Sequence, residues 1–209
     1  MKKSSFFSTR NLAIMGLMAA LATVLMFFSF PLPFVAPQFY KLDLSEIPVL
    51  MGSFMLGPVA GVVIELVKIL LNLMLTGSGT GGVGELANFC IGCALVIPAG
   101  IIYRVNKTKK GAIIGMIVGT LVMTVVGVFM NAWVMLPFYS AAGMPMEQII
   151  AAGAAINPAI CTVWTFCWIA VAPFNLIKGV IASLVTALLY KRVSVLLKGS
   201  AGAARKTAN

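Results

Sequence analysis

Residues 173–179 read Pro173-Phe174-Asn175-Leu176-Ile177-Lys178-Gly179 and open the last long apolar run of the sequence, which extends to Leu197. Proline suits the first turn of a helix, where its missing N–H group would have no partner in any case. Asn175 and Lys178 are three residues apart, so both side chains share one face of that helix. A lysine about one turn inside a membrane helix indicates a functional site unless its side chain snorkels to the lipid surface. This stretch alone leaves both interpretations open.

The composition is that of an integral membrane protein. Of the 209 residues, 61% are hydrophobic and only 10% are charged, and the mean hydropathy is +1.06. Several apolar runs exceed the roughly 18 residues that indicate a membrane-spanning helix. We therefore predict one all-α integral membrane domain, 1–209. The net charge of +10 is attributed to basic cytoplasmic loops rather than to nucleic-acid binding.

The distribution of Lys and Arg predicts six transmembrane helices with both termini in the cytoplasm. Cytoplasmic loops carry the excess of basic residues, and the basic segments 104–110 and 191–206 share a side with 1–10 only under two conditions. Gly57-Pro58 must be a turn, and 138–172 must not cross the membrane. The predicted spans are 11–30, 44–56, 59–75, 85–103, 112–136 and 173–197. The connecting parts are a cytoplasmic N-terminus at 1–10, an outer gating loop at 31–43, an outer loop at 138–172 with an interfacial helix near 146–156, and a basic cytoplasmic tail at 198–209.

Nothing in the sequence points to an enzyme, a metal site or a bound cofactor. The chain has no histidine, the commonest proton shuttle and metal ligand. Its four cysteines lie in apolar stretches and are interpreted as small buried side chains; they are Cys90, Cys93, Cys161 and Cys167. The glycines at 77–82 match G-x-G-x-x-G, but between two membrane spans that spacing indicates a flexible outer loop rather than a nucleotide site.

Polar residues of four predicted helices fall at one depth. At 1.5 Å per residue, six of them lie within roughly 9 Å of the outer boundary: Asn72, Glu85, Asn88, Asn131, Asn175 and Lys178. This convergence predicts a binding site that is open to the outside. Glu65 and Lys68, three residues apart on the third span, either pair with each other or line that site.

The side chains of this layer favour a planar, neutral ligand that forms hydrogen bonds. Asparagine amides both donate and accept hydrogen bonds, and aromatic rings stack on flat heterocycles. The aromatic residues expected beside the layer are Phe129, Trp133, Tyr139, Trp164 and Phe174. A strongly anionic ligand would require clustered arginines, and none is predicted on the outer side.

A set of motifs is distributed over about residues 10–200: Phe30-Pro31-Leu32-Pro33-Phe34, Leu42-Asp43-Leu44-Ser45-Glu46-Ile47-Pro48, Leu56-Gly57-Pro58-Val59-Ala60-Gly61, Leu66-Val67-Lys68, Ala87-Asn88-Phe89, Asn131 with Leu136-Pro137, and the stretch 173–179. In these motifs together, the sequence resembles the riboflavin-binding S components of energy-coupling factor (ECF) vitamin transporters.

The resemblance implies six helices, an outward-facing vitamin pocket and a first loop that acts as a gate. It implies that Asn131, Asn175 and Lys178 hold the polar edge of the isoalloxazine ring. The full set of expected substrate-binding residues is Asn131, Asn175, Lys178, Asn88, Asn72, Tyr40, Phe174 and Lys68. The implied partners are a transmembrane coupling subunit and two ATPases in a bacterial plasma membrane, so ATP is used by the partners and riboflavin is the transported ligand. An S component for another planar vitamin, and a stand-alone secondary transporter, are the alternatives.

Small residues cover one face of the first predicted span. They are Ala13, Gly16, Ala19, Ala20 and Thr23. Small-residue faces let another helix approach closely in lipid, and the partner helix is either another part of this chain or another protein. The resemblance implies docking of the energising module here, with Gly16-x-x-x-Ala20 standing where the family has A-x-x-x-A.

Overall fold

The computed structural model describes the backbone of residues 8–206 and the side chains of residues 8–189. The predicted N-terminal segment 1–10 and the side chains of the basic tail therefore lie mostly outside the described residues. The elements in chain order are α1 (Thr9–Phe27), β1 (Phe30–Pro31), β2 (Lys41–Leu42), α2 (Glu46–Leu56), α3 (Pro58–Thr76), α4 (Val83–Val105), α5 (Lys109–Met130), a π-helical turn (Asn131–Met135), α6 (Leu136–Ala141), α7 (Met146–Ala154), α8 (Val163–Phe166), a second π-helical turn (Cys167–Val171) and α9 (Ala172–Lys206).

Within the part of the chain that the structure describes, five helical stretches are long and apolar enough to cross a membrane, which is consistent with the predicted all-α membrane protein. They are Thr9–Phe27, Pro58–Thr76, Val83–Val105, Lys109–Ala141 and Val163–Leu189. The short helix α2 has 11 residues and a length of about 17 Å. It is apolar but shorter than the roughly 30 Å of a bilayer's hydrocarbon core.

The predicted turn at Gly57-Pro58 is present between α2 and α3. Gly57 has a φ of 104°, a backbone conformation that glycine adopts without steric cost. Pro58 then occupies the first turn of α3, where its missing N–H group loses no hydrogen bond. The apolar stretch from Leu44 to Leu75 is therefore two helices rather than one.

Two π-helical turns correct the predicted ends of the last two spans. Helical structure continues past Pro137 to Ala141, whereas the fifth span was predicted to end at 136. The last helical stretch begins at Val163, ten residues before the predicted start of the sixth span. The outer connection is therefore 142–162 rather than 138–172. A proline inside an α-helix clashes with the preceding turn, and a π-helical turn just before each proline widens the helix there.

Helices α4 and α5 approach closely because glycines of α5 face the backbone of α4. A Cβ atom on Gly119 would lie 2.4 Å from the carbonyl oxygen of Leu95, and one on Gly115 would lie 2.8 Å from that of Ala99. In lipid, small residues at such interfaces let helix backbones pack directly together. This contact positions α4, which carries Asn88, against α5, which leads into the turn that carries Asn131.

A short hairpin crosses one end of the helix bundle, which we call the hairpin end. Strands β1 and β2 pair antiparallel, with Phe30 opposite Leu42. Ala36 and Leu42 are buried in one apolar cluster with residues of α5, α6 and α7. The hairpin is therefore anchored to the bundle. We call the opposite end, where α2 turns into α3, the Gly57 end.

The small-residue face of α1 is divided between the interior and the surface. Ala19 and Thr23 are buried, with exposed fractions of 1% and 3%, so they pack inside this chain. Ala13, Gly16 and Ala20 are exposed. Only these three remain available for a partner in this conformation.

Candidate functional site

A cavity of about 440 Å³ lies at the hairpin end. Its walls come from α1, the hairpin, α3, α4, the Asn131–Met135 turn, α6 and α9. It brings together seven of the eight predicted substrate-binding residues: Asn131, Asn175, Lys178, Asn88, Asn72, Tyr40 and Phe174. Lys68 is the exception, since it lies outside the cavity wall. Residues from 40 to 178 in the sequence thus meet at one site.

The side chains of Asn131, in the π-helical turn after α5, and of Asn175, on α9, each donate a hydrogen bond to the carbonyl group four residues earlier. The Nδ2 group of Asn131 donates to the Gly127 oxygen at 2.8 Å, and that of Asn175 donates to the Val171 oxygen at 3.0 Å. Gly127 also lets the two side chains converge, because a Cβ atom there would lie 2.6 Å from Asn175 Nδ2. Each amide keeps a second N–H donor beyond that bond.

Tyr40 connects the hairpin to the cavity wall. Its hydroxyl group donates a hydrogen bond of 2.6 Å to Asn131 Oδ1. Burial raises the pKa of the Tyr40 hydroxyl group well above its usual value, so the group stays protonated and acts as a donor. Its ring lies 5.6 Å from that of Phe174. The same residue therefore orients the Asn131 amide and supplies an apolar ring to the site.

Lys178 is buried and paired, which rules out snorkelling in this structure. Its Nζ atom lies 2.9 Å from Asp43 Oδ2, and both side chains are at most 7% exposed. Burial alone would raise the pKa of the Asp43 carboxyl group, but the ammonium groups of Lys178 and Lys68 and the Ser45 hydroxyl group lower it to about 2. Asp43 is therefore a carboxylate at neutral pH. An ammonium group has three N–H donors, and this ion pair requires only one of them.

Aromatic rings surround the cavity, but they are not all the predicted ones. Phe39, Tyr40, Tyr139 and Phe174 contribute to its wall. Phe129, Trp133 and Trp164 do not, which corrects the prediction. Their rings contact one another at centroid distances of 4.9 Å and 6.0–6.2 Å, and Trp133 is 66% exposed. Cys161 is exposed as well, contrary to the expectation that all four cysteines are buried.

Lys68 and Glu65 form an ion pair below the cavity. Of the two interpretations that the sequence left open, they therefore pair with each other rather than line the site. Lys68 Nζ lies 2.7 Å from Glu65 Oε1 and 2.9 Å from Glu46 Oε1, and all three side chains are at most 1% exposed. The ammonium group also donates to Ser45 Oγ at 3.2 Å. Because the Ser45 hydroxyl group donates in turn to Asp43, polar contacts continue from Lys178 at the cavity down to Glu65.

Sequence reasoning missed Asp43 as the partner of Lys178. A signal was available, because the chain has only five acidic residues, and Asp43 falls in the predicted outer loop 31–43, on the same side of the membrane as Lys178. What sequence could not supply was the hairpin, which brings residue 43 to residue 178 across 135 positions.

A larger cavity of about 550 Å³ lies at the Gly57 end. Basic residues line part of it, namely Arg10, Arg104 and Lys107, and none of the predicted binding residues contributes to its wall. Its wall contains one amide side chain, Asn11, whereas four asparagines line the cavity at the hairpin end. The smaller cavity is therefore the candidate site.

Comparison with known proteins identifies the family. The sequence profile described as "ECF transporter, substrate-specific component" matches residues 10–190. The chain belongs to this family. Its members are transporter components, so the sequence-based prediction of a non-enzymatic protein and the resemblance to S components are both confirmed.

Individual relatives cover nearly the whole chain. The riboflavin transporter RibU of Staphylococcus aureus (strain TCH60) is 36% identical over 197 residues, which is 94% of this chain and 97% of that protein. The riboflavin transporter FmnP of Bacillus subtilis (strain 168) is 28% identical over 182 residues, or 87% of this chain and 90% of that protein.

A solved structure of the S component of a bacterial ECF transporter superimposes with a TM-score of 0.69 at 35% identity. The match covers 90% of this chain and 98% of that one. The fold of this S component is therefore shared with that structure over nearly its full length.

Proposed function

We propose that this chain is the riboflavin-binding S component of an ECF-type importer. It captures riboflavin from outside the cell and delivers it inward together with a transmembrane coupling subunit and two ATPases. The observation that carries the proposal is the cavity at the hairpin end, where Asn131, Asn175 and Lys178 meet the rings of Tyr40 and Phe174. The relatives named as riboflavin transporters support the same ligand.

The chemistry of the cavity matches the flavin ring system. That ring has carbonyl and ring-nitrogen acceptors and one imide N–H donor. Lys178 offers only donors and suits an acceptor, whereas an asparagine amide suits the imide N–H together with a neighbouring carbonyl. The charge of Lys178 is already balanced by Asp43 at 2.9 Å. A neutral ligand therefore fits better than an anionic one.

Titration of the purified protein with riboflavin tests the ligand. Stacking on the cavity rings should quench flavin fluorescence, and the quenching should saturate at one riboflavin per chain. Flavins that share the ring should compete, whereas thiamine and biotin should not. If a non-flavin vitamin bound with equal or higher affinity, the proposal that riboflavin is the ligand would be wrong.

We further propose that segment 31–43 gates the cavity. Two contacts hold this segment to the site, the Tyr40 hydroxyl group on Asn131 and the Asp43 carboxylate on Lys178. Both partners are expected ligand-binding residues. A ligand that binds Asn131 and Lys178 therefore contacts the same two side chains that hold segment 31–43 in place.

The proposed topology has six spans and cytoplasmic termini, with α2 as the short second span. We expect a membrane-impermeant maleimide to label Cys161, which is exposed in the connection placed outside. Replacing it by serine should abolish labelling of intact cells. In that background, Lys109→Cys should react only after permeabilisation. Labelling of Lys109→Cys in intact cells would contradict the topology.

We propose that the exposed small residues of α1, Ala13, Gly16 and Ala20, dock the coupling subunit. A Cβ atom on Gly16 would meet nothing within 4 Å, so this chain alone can accommodate Gly16→Trp. We expect that variant to bind riboflavin normally but to lose ATP-driven uptake in the assembled transporter. Leu66→Trp is the control, because Leu66 is 44% exposed on another helix, and it should retain uptake. Parallel loss of binding and uptake in Gly16→Trp would assign the face to internal packing.

A further inference from the structure

A cluster of five charged side chains is buried between the candidate site and the bundle interior. The carboxyl groups are those of Asp43, Glu46 and Glu65, and the ammonium groups are those of Lys68 and Lys178. The exposed fraction of each residue is 6% or less. If every group were ionised, three negative charges would face two positive ones.

Among the side chains that the structure describes, no further cation balances the excess negative charge. Asp43 is engaged by Lys178 at 2.9 Å and by Ser45, and Glu46 Oε1 is engaged by Lys68 at 2.9 Å. Glu46 Oε2 and Glu65 Oε2 are buried and have no hydrogen-bond partner within residues 8–189. An isolated charge away from water is so costly that such a group takes up a proton instead.

The two glutamates lie close together because both contact the same ammonium group. Glu46 Oε1 and Glu65 Oε1 lie 2.9 Å and 2.7 Å from the same Lys68 nitrogen. Gly92 of α4 makes room for them, since a Cβ atom there would lie 2.3 Å from Glu65 Oε1 and 3.2 Å from Glu46 Oε1. Two carboxyl groups that share one ammonium group in a dry site cannot both stay charged without a second cation.

We propose that the carboxyl group of Glu65 holds one proton at neutral pH, with Glu46 beside it on the same ammonium group. With that proton the five groups sum to zero: Asp43 balances Lys178, and one ionised glutamate balances Lys68. The Cys93 thiol of α4 also faces Glu65 and Glu46; it is neutral as a thiol and does not alter this balance. The ligand of the site is thus a single proton, held beneath the cavity.

Infrared spectroscopy of the purified protein tests the assignment directly. At neutral pH we expect a C=O stretching band of one protonated carboxyl group, shifted by deuterium exchange. The band should vanish in Glu65→Gln, which mimics a neutral glutamic acid, and persist in Glu147→Gln, whose side chain is exposed. Lys68→Met should raise the band to two carboxyl groups, because both glutamates then lose their cation. A wild-type protein without the band would overturn the proposal.

Stability gives a second readout with a defined sign. The unfolded chain releases the proton at neutral pH whereas the folded chain keeps it, so the wild-type melting temperature should fall as pH rises from 5 to 8. Glu65→Gln cannot release this proton and should show a shallower slope, while Glu147→Gln should match the wild type. Equal slopes in all three proteins would contradict the proposal.

Sodium is the competing occupant. Exchange of sodium for choline at constant ionic strength should leave the melting temperature and the infrared band unchanged. A sodium-dependent rise in melting temperature that Glu65→Gln abolishes would assign the site to the cation rather than to a proton. Neither readout uses riboflavin, so failure here leaves the proposed transport function standing.

Discussion

Lys178→Met and Asn131→Leu should each weaken riboflavin binding at least tenfold. Both residues line the cavity, and both are at most 6% exposed. Removing one partner leaves a buried polar group unmatched at a cost of about 1–3 kcal/mol, which is roughly tenfold to a hundredfold in affinity. Titration of riboflavin fluorescence measures the change. Lys109→Met, exposed at the Gly57 end, should bind like the wild type.

The ion pair with Asp43 requires a second variant to interpret Lys178→Met. Without the ammonium group, Asp43 is a buried carboxylate that lacks its 2.9 Å partner, and any loss of affinity could come from that charge. The double variant Asp43→Asn/Lys178→Met removes both charges. We expect it to regain thermal stability but not affinity, since the donor to the flavin is still missing. If the double variant recovered riboflavin binding, Lys178 would not be a ligand-binding residue.

Helix positions followed from hydrophobicity and charge, because these depend on local sequence. The turn at Gly57-Pro58 was predictable since glycine and proline each have a strong local conformational preference. The continuation of helices past Pro137 and before Pro173 was not. Each π-helical turn spans five residues and ends two residues before a proline, and proline is ordinarily interpreted as the end of a helix rather than as a position that a widened turn can accommodate.

The sequence predicted most of the residues that line the cavity because the depth of a residue along a membrane helix can be counted from the sequence. Rotation about the helix axis is harder to infer, and this explains why Trp133 and Phe129 lie outside the cavity although they fall at the right depth. Lys68 illustrates a related limit. Its side chain is directed at Glu46 and Glu65, and only the fold shows that α2 brings Glu46 to α3.

Gly119→Val should destabilise the protein more strongly than any substitution on the lipid-facing surface. The added Cβ atom would lie 2.4 Å from the Leu95 carbonyl oxygen and 3.3 Å from the Leu95 carbonyl carbon. These are backbone atoms and cannot rotate away, so α4 and α5 must separate. Overpacking of this kind typically costs about 1–3 kcal/mol. Thermal unfolding of the detergent-solubilised protein measures the loss.

Gly16→Val is the matched control for that experiment. It introduces the same side chain into a helix, so the intrinsic helix preference changes equally in both variants. A Cβ atom at Gly16 meets nothing within 4 Å, and we expect its melting temperature to stay close to that of the wild type. Because α4 carries Asn88 and α5 leads into Asn131, their separation should also weaken riboflavin binding in Gly119→Val alone. Equal melting temperatures for the two variants would mean that the α4–α5 contact relaxes without cost, and the close backbone approach would then not be what holds the cavity walls in place.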